Sequence, residues 1–349
     1  MFMHLLGTAM HSAEAGKLPD RMIRFGIRHL LRKRLESLRL SNPEDRIERF
    51  RQFVTDCRNG PIALVPDLAN EQHYEVPPEF FRTVLGHRLK YSCCHWPACV
   101  TSLDDAEDSA LQVTCGRAGI EDGMDILELG CGWGSLTLWM AERFPGSRIL
   151  AVSNSASQRQ FVLDRAGESG FSNVKVVTAD MNGFATERSF DRVVSIEMFE
   201  HMRNHKELMR RVAGWLNPAG QLFVHIFCHA RDAYRFETEG DHNWMGRHFF
   251  SGGMMPSDSL LLHYQQDLSL VDQWRWNGCH YEKTCNEWLR RQDANRDSLR
   301  QLFIETCGVQ HADRWFNRWR IFFMACAELF GCRNGSEWWV SHYLFEKRP

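Results

Sequence analysis

A glycine-rich turn is the first feature of this sequence whose residue types and spacing point to chemistry. It reads Glu128-Leu-Gly-Cys-Gly-Trp-Gly134 and follows a short apolar run. Its glycines let the backbone approach a ligand closely, and a helix that follows directs its first amides to the same place. The spacing GxGxG lacks the later glycine of the dinucleotide fingerprint GxGxxG. Because Glu128 also suits an ammonium group better than a pyrophosphate, the turn, with Gly130, Gly132 and Gly134, favours S-adenosylmethionine as the ligand.

The ends of the next two predicted strands supply further candidates for cofactor binding. The second strand ends in Ser153-Asn154 rather than in the acid that commonly binds ribose hydroxyls, and Gln158 on the next helix can supply the missing hydrogen bonds. Asp180, followed by Met181, ends the third strand, where its carboxylate can accept from the adenine amine. Each of these positions also has a purely structural interpretation, as a helix cap, a surface glutamine or a turn residue.

A pair of acids and a histidine follow the fourth predicted strand. Glu197, Glu200 and His201 lie in the segment Ile196-Glu-Met-Phe-Glu-His201. The sulfonium of S-adenosylmethionine already activates the methyl group, so its transfer chiefly needs alignment and an uncharged nucleophile. An amine is mostly protonated near pH 7, and a carboxylate beside an imidazole can take its proton. Glu200 with His201 fits that task; the alternative is that Glu200 caps a helix and His201 is a packed neighbour.

Aromatic side chains are concentrated in the segment after the fifth predicted strand. Such rings can stack on an aromatic amine or stabilise a cation. Any single ring is equally well explained by core packing, but the group favours a large apolar pocket for an aromatic amine or an acyl chain. The candidates for substrate binding are His229, Tyr234, Phe236, Trp244 and Phe249.

Strands alternating with helices must position these residues. Five apolar runs predict strands at residues 125–130, 148–154, 174–180, 190–198 and 220–227, with helices at 135–144, 156–170 and 204–216. This alternation is typical of a parallel sheet with helices on both faces, and such sheets bind ligands at the carboxyl ends of their strands. Residues 268–276 and 337–347 predict two later strands, on either side of a helical region from about residue 284 to 330.

The sequence divides into three predicted parts. Residues 1–90 form a helical N-terminal region, 91–230 a cofactor-binding core, and 231–349 a helical lid insertion with the last two strands. Within the first part, residues 21–40 repeat apolar positions at three and four spacings with basic residues between them. This pattern predicts an amphipathic helix packed on the next domain; the alternative is a basic face offered to a phospholipid surface or a partner subunit.

Composition limits the class of protein and its partners. The chain has 349 residues with 42 Lys+Arg and 44 Asp+Glu, a formal net charge of −2, which argues against a nucleic-acid partner. Its 12 cysteines lack the paired spacing of a zinc site, so we predict free thiols and no metal. The first residues make a poor signal peptide, and the apolar stretch at residues 321–327 is far shorter than a membrane span. We therefore predict a cytoplasmic protein.

Two sets of motifs carry a resemblance to a known family. The glycine turn, residues 153–158 (Ser-Asn-Ser-Ala-Ser-Gln) and residues 198–202 (Met-Phe-Glu-His-Met) are similar to the cyclopropane-fatty-acid synthase superfamily of methyltransferases. Four further segments resemble, more closely, its coclaurine N-methyltransferase branch. They are residues 91–94 (Tyr-Ser-Cys-Cys), 223–229, 249–256 and 327–331. The likeness runs from about residue 20 to the C-terminus.

The resemblance implies a fold, a reaction and roles for several residues. The fold is α/β: a class I S-adenosylmethionine-dependent methyltransferase, Rossmann-like, with a mostly parallel seven-stranded sheet, a helical N-terminal region and a helical substrate lid. Tyr91 and Ser92 are implied to close over the cofactor. Glu200 and His201 become the catalytic pair that acts as general base towards a hydrophobic, alkaloid-like amine, and Glu197 matches an acid placed to hold a cationic substrate.

Methylene or methyl transfer to an unsaturated acyl chain is the rival reaction within the superfamily. There a bicarbonate takes a proton from a carbocation, and the residues that match its polar cradle are Cys93, Glu200, His225 and Tyr281. Bicarbonate would then be a second bound group. Two departures weaken this interpretation: Glu197 stands where synthases usually have a small residue, and Phe227 replaces a residue whose backbone lines the ion site. A buried extra carboxylate suits a substrate ammonium and is costly beside an alkene.

A third hypothesis is a non-catalytic lipid-binding relative that keeps the fold. The intact glycine turn and Glu200-His201 count against it, since such a relative need not retain either. The predicted partner is a small hydrophobic amine, with an unsaturated acyl lipid as the alternative. Peripheral membrane contact through the basic helix and a homodimer are further partner predictions.

Overall fold

The computed structural model describes residues 2–39, 42–64, 76–240 and 243–348. Its strands are β1 (Asp125–Leu129), β2 (Arg148–Ser153), β3 (Val174–Thr178), β4 (Phe190–Ile196), β5 (Leu216–His229), β6 (Tyr234–Arg235), β7 (Met254–Met255), β8 (Leu268–Trp276) and β9 (Trp338–Lys347). Its helices are α1 (Phe2–Glu14), α2 (Asp20–Leu38), α3 (Pro43–Arg58), α4 (Pro78–Val84), α5 (Leu103–Arg117), α6 (Ser135–Arg143), α7 (Ala156–Glu168), α8 (His205–Trp215), α9 (Trp244–His248), α10 (Cys279–Ala294), α11 (Arg296–Cys307) and α12 (Val309–Phe330).

Seven of these strands form one sheet in the order β3-β2-β1-β4-β5-β9-β8. Strands β1 to β5 pair in parallel, whereas β9 is antiparallel to both β5 and β8. Because β1 lies between β2 and β4 with helices on both faces, its apolar residues Ile126, Leu127 and Leu129 are all fully buried. The predicted fold class and each predicted strand are confirmed, and β5 extends beyond its predicted bounds at both ends.

The order of the strands places the candidate residues at one edge of the sheet. The chain reverses its winding direction between β1 and β4, so the turns after these two central strands meet above the sheet. The glycine turn follows β1, Ser153 ends β2, and Glu197 follows β4 directly. The sequence pattern therefore brings the predicted cofactor and reaction residues to the same crevice.

The late helical region consists of three helices, α10, α11 and α12. The break between α11 and α12 falls at Gly308, whose φ of +86° is a left-handed conformation that favours glycine. Helices α10 and α12 pack against each other and bury Trp288, Trp319 and Phe323 between the sheet and the N-terminal helices. These aromatic residues belong to the core of this helical region.

Helices α1 and α2 pack on α12, almost the full length of the chain away in sequence. On α2, Arg24 donates to Glu328 Oε1 at 2.9 Å and to Asn286 Oδ1 at 2.7 Å, and Arg28 pairs with the other oxygen of Glu328. The predicted amphipathic helix at residues 21–40 is present from Asp20 to Leu38, but it packs on α12 near the C-terminus rather than on the next part of the chain. The three-part division at residues 90 and 230 stays a prediction.

Membrane crossing requires a long apolar helix. Within the described ranges, no helix is both long enough and apolar enough to cross a bilayer.

Candidate active site

In the glycine turn after β1, close packing requires two of the glycines, and the third leaves space for a ligand. Gly130 and Gly134 have φ of +82° and +80°, and a Cβ atom would lie 2.8 Å from Met198 Cγ at the first and 2.7 Å from Val162 Cγ2 at the second. Gly132, with φ of +51°, has no described atom within 4 Å of its would-be Cβ. It opens onto a cleft, so the turn leaves room for a ligand against its backbone.

This cleft, called here the cofactor cleft, consists of two adjoining cavities that share Gly130, Gly132 and Glu197. One runs along the ends of β2 and β3 and is lined by Ser153, Asn154, Gln158, Asp180 and Met181. The other lies under the segment before α5 and is lined by Lys90, Tyr91, Ser92, Glu128 and Trp133. Every predicted cofactor residue except Gly134 is among the residues that line these two cavities, and Gly134 starts the helix beside them.

The first cavity has a prepared hydrogen-bonding group in Gln158. Ser153 Oγ donates to Gln158 Oε1 at 2.9 Å, which leaves the amide nitrogen of Gln158 facing away from the serine. That nitrogen is buried and has no hydrogen-bond partner among the described residues. The cap of α7 is Ser155, which accepts from the Gln158 N–H, so Ser153 is not the cap. A buried, unpartnered donor beside a cleft fits the hydroxyls of a ribose.

Removing this donor tests the cofactor assignment. We expect Gln158→Ala to weaken binding of S-adenosylmethionine about tenfold, since one hydrogen bond inside a cleft is worth about 1 to 1.5 kcal/mol. The matched control is Gln160→Ala on the same helix, because Gln160 is exposed and donates only to Asp164. Calorimetric titration of both variants measures the effect; equal affinities would remove Gln158 from the cofactor site.

The second cavity contains a carboxyl group that a cationic ligand would stabilise. Glu128 is 2% exposed and accepts from the Thr137 hydroxyl. Burial raises the pKa of Glu128 to about 7, because a charged carboxylate is costly where water is excluded. An ammonium group beside it would favour the charged form. The residues of the cleft therefore fit both ends of S-adenosylmethionine, with donors for the ribose and an acid for the methionine amine.

Glu197 is the point where the cofactor cleft meets a third, larger cavity. It follows β4 directly and has φ of +47°, a left-handed conformation that is strained for a residue with a side chain. Its Oε1 accepts from the Cys93 backbone N–H at 2.9 Å and from His225 Nε2 at 3.2 Å, and its Oε2 accepts from the Tyr281 hydroxyl at 2.6 Å. Three donors thus hold this carboxylate in place.

Glu200 has the opposite surroundings. It is 1% exposed and neither carboxyl oxygen has a hydrogen-bond partner among the described residues. Burial, and then the charge of Glu197, raise the pKa of Glu200 well above its ordinary value. Burial also lowers the pKa of His201 to about 4, so the imidazole is neutral near pH 7. Burial raises the pKa of Glu197 as well, but the nearby charge of Lys90 and the hydrogen bonds from Cys93 and Tyr281 oppose this shift. Of the two acids, Glu197 is therefore the more readily ionised, and Glu200 holds a proton until a cation arrives.

Cys93 contributes its backbone N–H and not a reactive thiol. Its Sγ donates to the Cys94 carbonyl at 3.4 Å, and burial followed by the charge of Glu197 raises the pKa of the thiol well above its ordinary value. A neutral thiol is a poor nucleophile. Cys93 is therefore a buried, packed residue whose thiol does not act as a nucleophile.

The residues of the predicted bicarbonate cradle do not fit a bicarbonate in this structure. Three of the expected donors, from Cys93, His225 and Tyr281, are directed at the carboxylate of Glu197. The fourth cradle residue, Glu200, lies beside the charge of Glu197, and that charge would oppose an added anion. The side chain of Glu197 therefore stands where such an ion would need its hydrogen bonds.

The third cavity, called here the substrate cavity, has a volume of about 630 Å³ and mostly apolar walls. Tyr234, Phe236 and Trp244, predicted for substrate binding, line it, and its polar end is formed by Glu197, Glu200 and His201. His201 stacks on Phe250, with ring centres 5.8 Å apart. Tyr281, whose hydroxyl donates to Glu197, stacks on Phe330 beside these residues, with ring centres 4.3 Å apart. The predicted apolar pocket and the predicted reaction residues thus share one space.

Two predicted substrate residues lie outside this lining. Phe249 is 1% exposed and stacks on Phe322 with ring centres 4.2 Å apart, so Phe322 stands between it and the cavity. His229, at the end of β5, accepts from the Asp232 backbone N–H at 2.9 Å and faces Glu337. Both belong to the packing that supports the lid, because strand-end position and aromatic type do not tell which way a ring points.

The N-terminal helices supply a part of the cavity that no motif indicated. Met10 and Ala13 of α1 and Ile23, Ile27 and Leu31 of α2 line it from above. The apolar spacing of residues 21–40 predicted a buried face on α2, but nothing in it showed that this face covers a ligand site. Glu14, at the end of α1, fixes the cover.

Glu14 holds α1 onto the lid through its buried carboxylate. Its oxygens accept from Trp244 Nε1 at 2.9 Å and from Arg314 Nε at 2.6 Å, with Arg318 Nε at 3.1 Å. These charge-assisted bonds keep the pKa of Glu14 below its ordinary value, although burial opposes them. The cover over the substrate cavity is therefore anchored at the end of α1.

The sheet order and the glycine turn with its cleft define a class I S-adenosylmethionine-dependent methyltransferase. The family model described as mycolic acid cyclopropane synthetase matches residues 66–337. The chain therefore belongs to the mycolic acid cyclopropane synthetase family.

Known relatives agree with this assignment over nearly the full length. An (S)-coclaurine N-methyltransferase from Thalictrum flavum subsp. glaucum is 38% identical over 339 residues, 96% of this chain and 94% of the relative. A crystal structure of coclaurine N-methyltransferase bound to N-methylheliamine and S-adenosylhomocysteine matches with a TM-score of 0.92 at 34% identity and covers 99% of both chains. The predicted resemblance to the superfamily and to this branch is confirmed.

A more distant structure shares the fold alone. A cyclopropane synthase from Mycobacterium tuberculosis matches with a TM-score of 0.68 at 22% identity, covering 81% of this chain and 99% of its own. The family thus includes proteins named for either chemistry, and the residues of the site must decide between them.

Proposed function

We propose that this enzyme transfers the methyl group of S-adenosylmethionine to the nitrogen of a hydrophobic amine. The observation that carries the proposal is the position of Glu197. Three hydrogen-bond donors fix its carboxylate at the junction between the cofactor cleft and a large apolar cavity. Burial makes this charge costly, and the nearby Lys90 ammonium offsets only part of that cost, since the pKa of Glu197 stays raised. A substrate that arrives as an ammonium ion is a partner of the right sign.

The walls of the substrate cavity suit the remainder of such a substrate. Rings of Tyr281, Phe330 and Phe250 stand close to the two acids, where they can pack on an apolar body and face a cation. The names of the relatives support the same substrate class, since the (S)-coclaurine and pavine N-methyltransferases are 38% and 32% identical to this chain. An aromatic, alkaloid-like amine is therefore the proposed substrate.

Proton removal is assigned to Glu200 and His201. As an ammonium binds beside Glu197, Glu200 releases its proton to the water that the substrate displaces; the resulting carboxylate can then accept the amine proton together with the neutral imidazole. When bound, S-adenosylmethionine supplies an activated methyl group, which the nitrogen lone pair accepts while the thioether leaves as S-adenosylhomocysteine. A secondary amine thereby becomes a tertiary ammonium, and Glu197 remains beside the positive charge. The cover formed by α1 and α2 keeps water away from this exchange.

Acyl-lipid chemistry has less support from the site. Its carbocation needs a base in the cradle, and the donors of that cradle are already directed at Glu197. The Escherichia coli cyclopropane-fatty-acyl-phospholipid synthase is 25% identical over 78% of this chain, which shows common descent and not a shared substrate. Membrane contact and a homodimer stay predictions, and the packing of α2 on α12 accounts for its apolar face without either.

A substrate comparison tests the proposal. We expect S-adenosylhomocysteine to form when the enzyme receives S-adenosylmethionine and a bulky secondary aromatic amine. The isosteric ether, with oxygen in place of nitrogen, and vesicles of unsaturated phosphatidylcholine should give none. Turnover with the vesicles alone would contradict N-methylation, and failure to bind S-adenosylmethionine in a calorimeter would support the non-catalytic hypothesis.

A further inference from the structure

A row of polar side chains leads away from the reaction centre behind Glu197. Arg117 NH1 lies 2.8 Å from His342 Nδ1, His342 Nε2 lies 2.9 Å from His225 Nδ1, and His225 Nε2 lies 3.2 Å from Glu197 Oε1. Three links therefore join the end of helix α5 to the carboxylate in the site. The sequence motifs indicated His225 as a candidate residue, but they indicated none of these contacts.

The sheet register explains how the two histidines meet. His225 of β5 and His342 of β9 are directly opposite each other in the antiparallel pair, so their side chains lie on the same face. Trp274 of β8 is opposite His342 on its other side. The insertion of β9 between β5 and β8 thus brings residues that are far apart in sequence into one row.

The chemistry of arginine determines which atom is the donor in each hydrogen bond of this row. A guanidinium only donates hydrogen bonds, so the Nδ1 of His342 must be the unprotonated nitrogen of its ring. Its proton is then on Nε2 and is donated to Nδ1 of His225. The proton of His225 is likewise on Nε2 and is donated to Glu197. Both histidines are neutral Nε2–H tautomers, and every hydrogen bond points towards the carboxylate.

The row is enclosed, which strengthens its bonds. Both histidines are fully buried, and Trp276, 3% exposed, covers them with its ring centre 4.4 Å from that of His342 and 5.4 Å from that of His225. Arg117 Cζ lies 5.7 Å from the same tryptophan ring. Hydrogen bonds in such a low-dielectric setting polarise one another in the same direction.

We propose that Arg117 and His342 are positioning residues, which act through His225 to hold Glu197 as the carboxylate that binds the substrate ammonium. The inference rests on the proposed N-methylation. The tautomers have a second consequence. A proton placed on Glu197 cannot leave through the row, because Nε2 of His225 already bears a proton and Nδ1 of His225 accepts from His342. The row therefore offers no exit for the amine proton, which leaves Glu200 and His201, in the same cavity as Glu197, as its acceptors.

The tautomers of the two histidines in the wild-type enzyme test the row directly. Nitrogen-15 spectra of protein labelled at its histidines distinguish Nδ1–H from Nε2–H rings, and the two signals are assigned by their loss in His342→Gln and His225→Gln. We expect Nε2–H rings at both positions, unchanged between pH 6 and 8. An Nδ1–H ring or a charged imidazole at either position would overturn the proposal.

Variants then test whether the row matters for turnover. Breaking it with His342→Leu should lower kcat/KM for the amine about tenfold to a hundredfold, the scale of a lost hydrogen bond that supports a charged group. His342→Gln, which can accept from arginine and donate to His225, should recover most of that loss. Affinity for S-adenosylmethionine should stay at the wild-type value in both, which shows that they fold.

Arginine variants provide a matched comparison. Arg117→Met should reduce kcat/KM in the same range, whereas Arg143→Met should not, although Arg143 also ends a helix and lies over a tryptophan, with its Cζ 4.6 Å from the Trp139 ring. Wild-type activity in both Arg117→Met and His342→Leu would show that these residues only pack in the core, and it would overturn the proposal. If the wild-type enzyme methylates no amine, N-methylation itself fails, and the tautomer measurement still decides whether the row exists.

Discussion

Replacing Glu200 with Gln and His201 with Ala together lowers kcat with a hydrophobic amine at pH 7 by about a hundredfold or more, the scale of lost general-base help. Glu200 is buried without a hydrogen-bond partner among the described residues, and the charge of Glu197 adds to burial in raising its pKa. A carboxyl group with a raised pKa is a stronger base once it is ionised. His201 is neutral near pH 7 because burial lowers its pKa to about 4. The two groups are therefore poised to accept a proton from an ammonium.

The pH dependence of this loss identifies its cause. Above the pKa of the amine in water, the substrate already arrives without its extra proton, so the double variant should approach wild-type turnover as the pH rises. A constant defect at all pH values would point to misplaced substrate rather than to a lost base. Glu207→Gln is the control, since Glu207 is a nearby acid whose carboxylate pairs with Arg210 and Arg211 on the surface. Unchanged turnover of the double variant at pH 7 would remove Glu200 and His201 from the mechanism.

Replacing Glu197 with Gly should lower kcat/KM for the amine about a hundredfold or more, because removal of one partner of a buried charge pair costs about 2 to 5 kcal/mol. Glycine fits the backbone here without strain, since φ is +47°. The variant leaves three unsatisfied donors, from Cys93, His225 and Tyr281, around a small space. Added formate or bicarbonate should occupy that space and restore part of the activity.

Glu197→Gln is the matched comparison for this rescue. Glutamine fills the same volume without the charge, so activity should fall as well, but no room remains for an added anion. We expect formate to raise the kcat/KM of the Gly variant in a saturable way and to leave that of the Gln variant unchanged. Equal responses in both variants would show a general salt effect, and full activity in either variant would show that no carboxylate is needed at this position.

Local pattern was enough to predict the sheet and much of the cofactor cleft. Each strand of the parallel half is an apolar run bounded by turn residues, so the turns after β1, β2 and β4 could be assigned to one edge. The glycine turn and Gln158 were predicted from residue types alone. Even so, the reason Ser153 matters was not visible, because its hydroxyl acts by orienting Gln158.

Features that depend on distant packing could not be predicted. The cover over the substrate cavity joins α1 and α2 to α12, and only the folded chain shows that Glu14 meets Trp244 and Arg314. The meeting of His225 with His342 requires β9 to insert beside β5, which no local pattern indicates. The direction in which an aromatic side chain points also depends on distant packing. Phe236 lines the cavity, whereas Phe249 packs behind Phe322.

The most direct test of N-methylation is the number of deuterium atoms that reach the product. S-adenosylmethionine with a fully deuterated methyl group is supplied together with the aromatic amine and unsaturated phospholipid vesicles, and both products are weighed by mass spectrometry. Transfer to nitrogen keeps every deuterium, whereas closure of a cyclopropane ring must release one to a base. We predict an amine product that retains the whole labelled methyl group and unmodified lipid. A labelled lipid that has lost one deuterium, with unmodified amine, would contradict the proposed function.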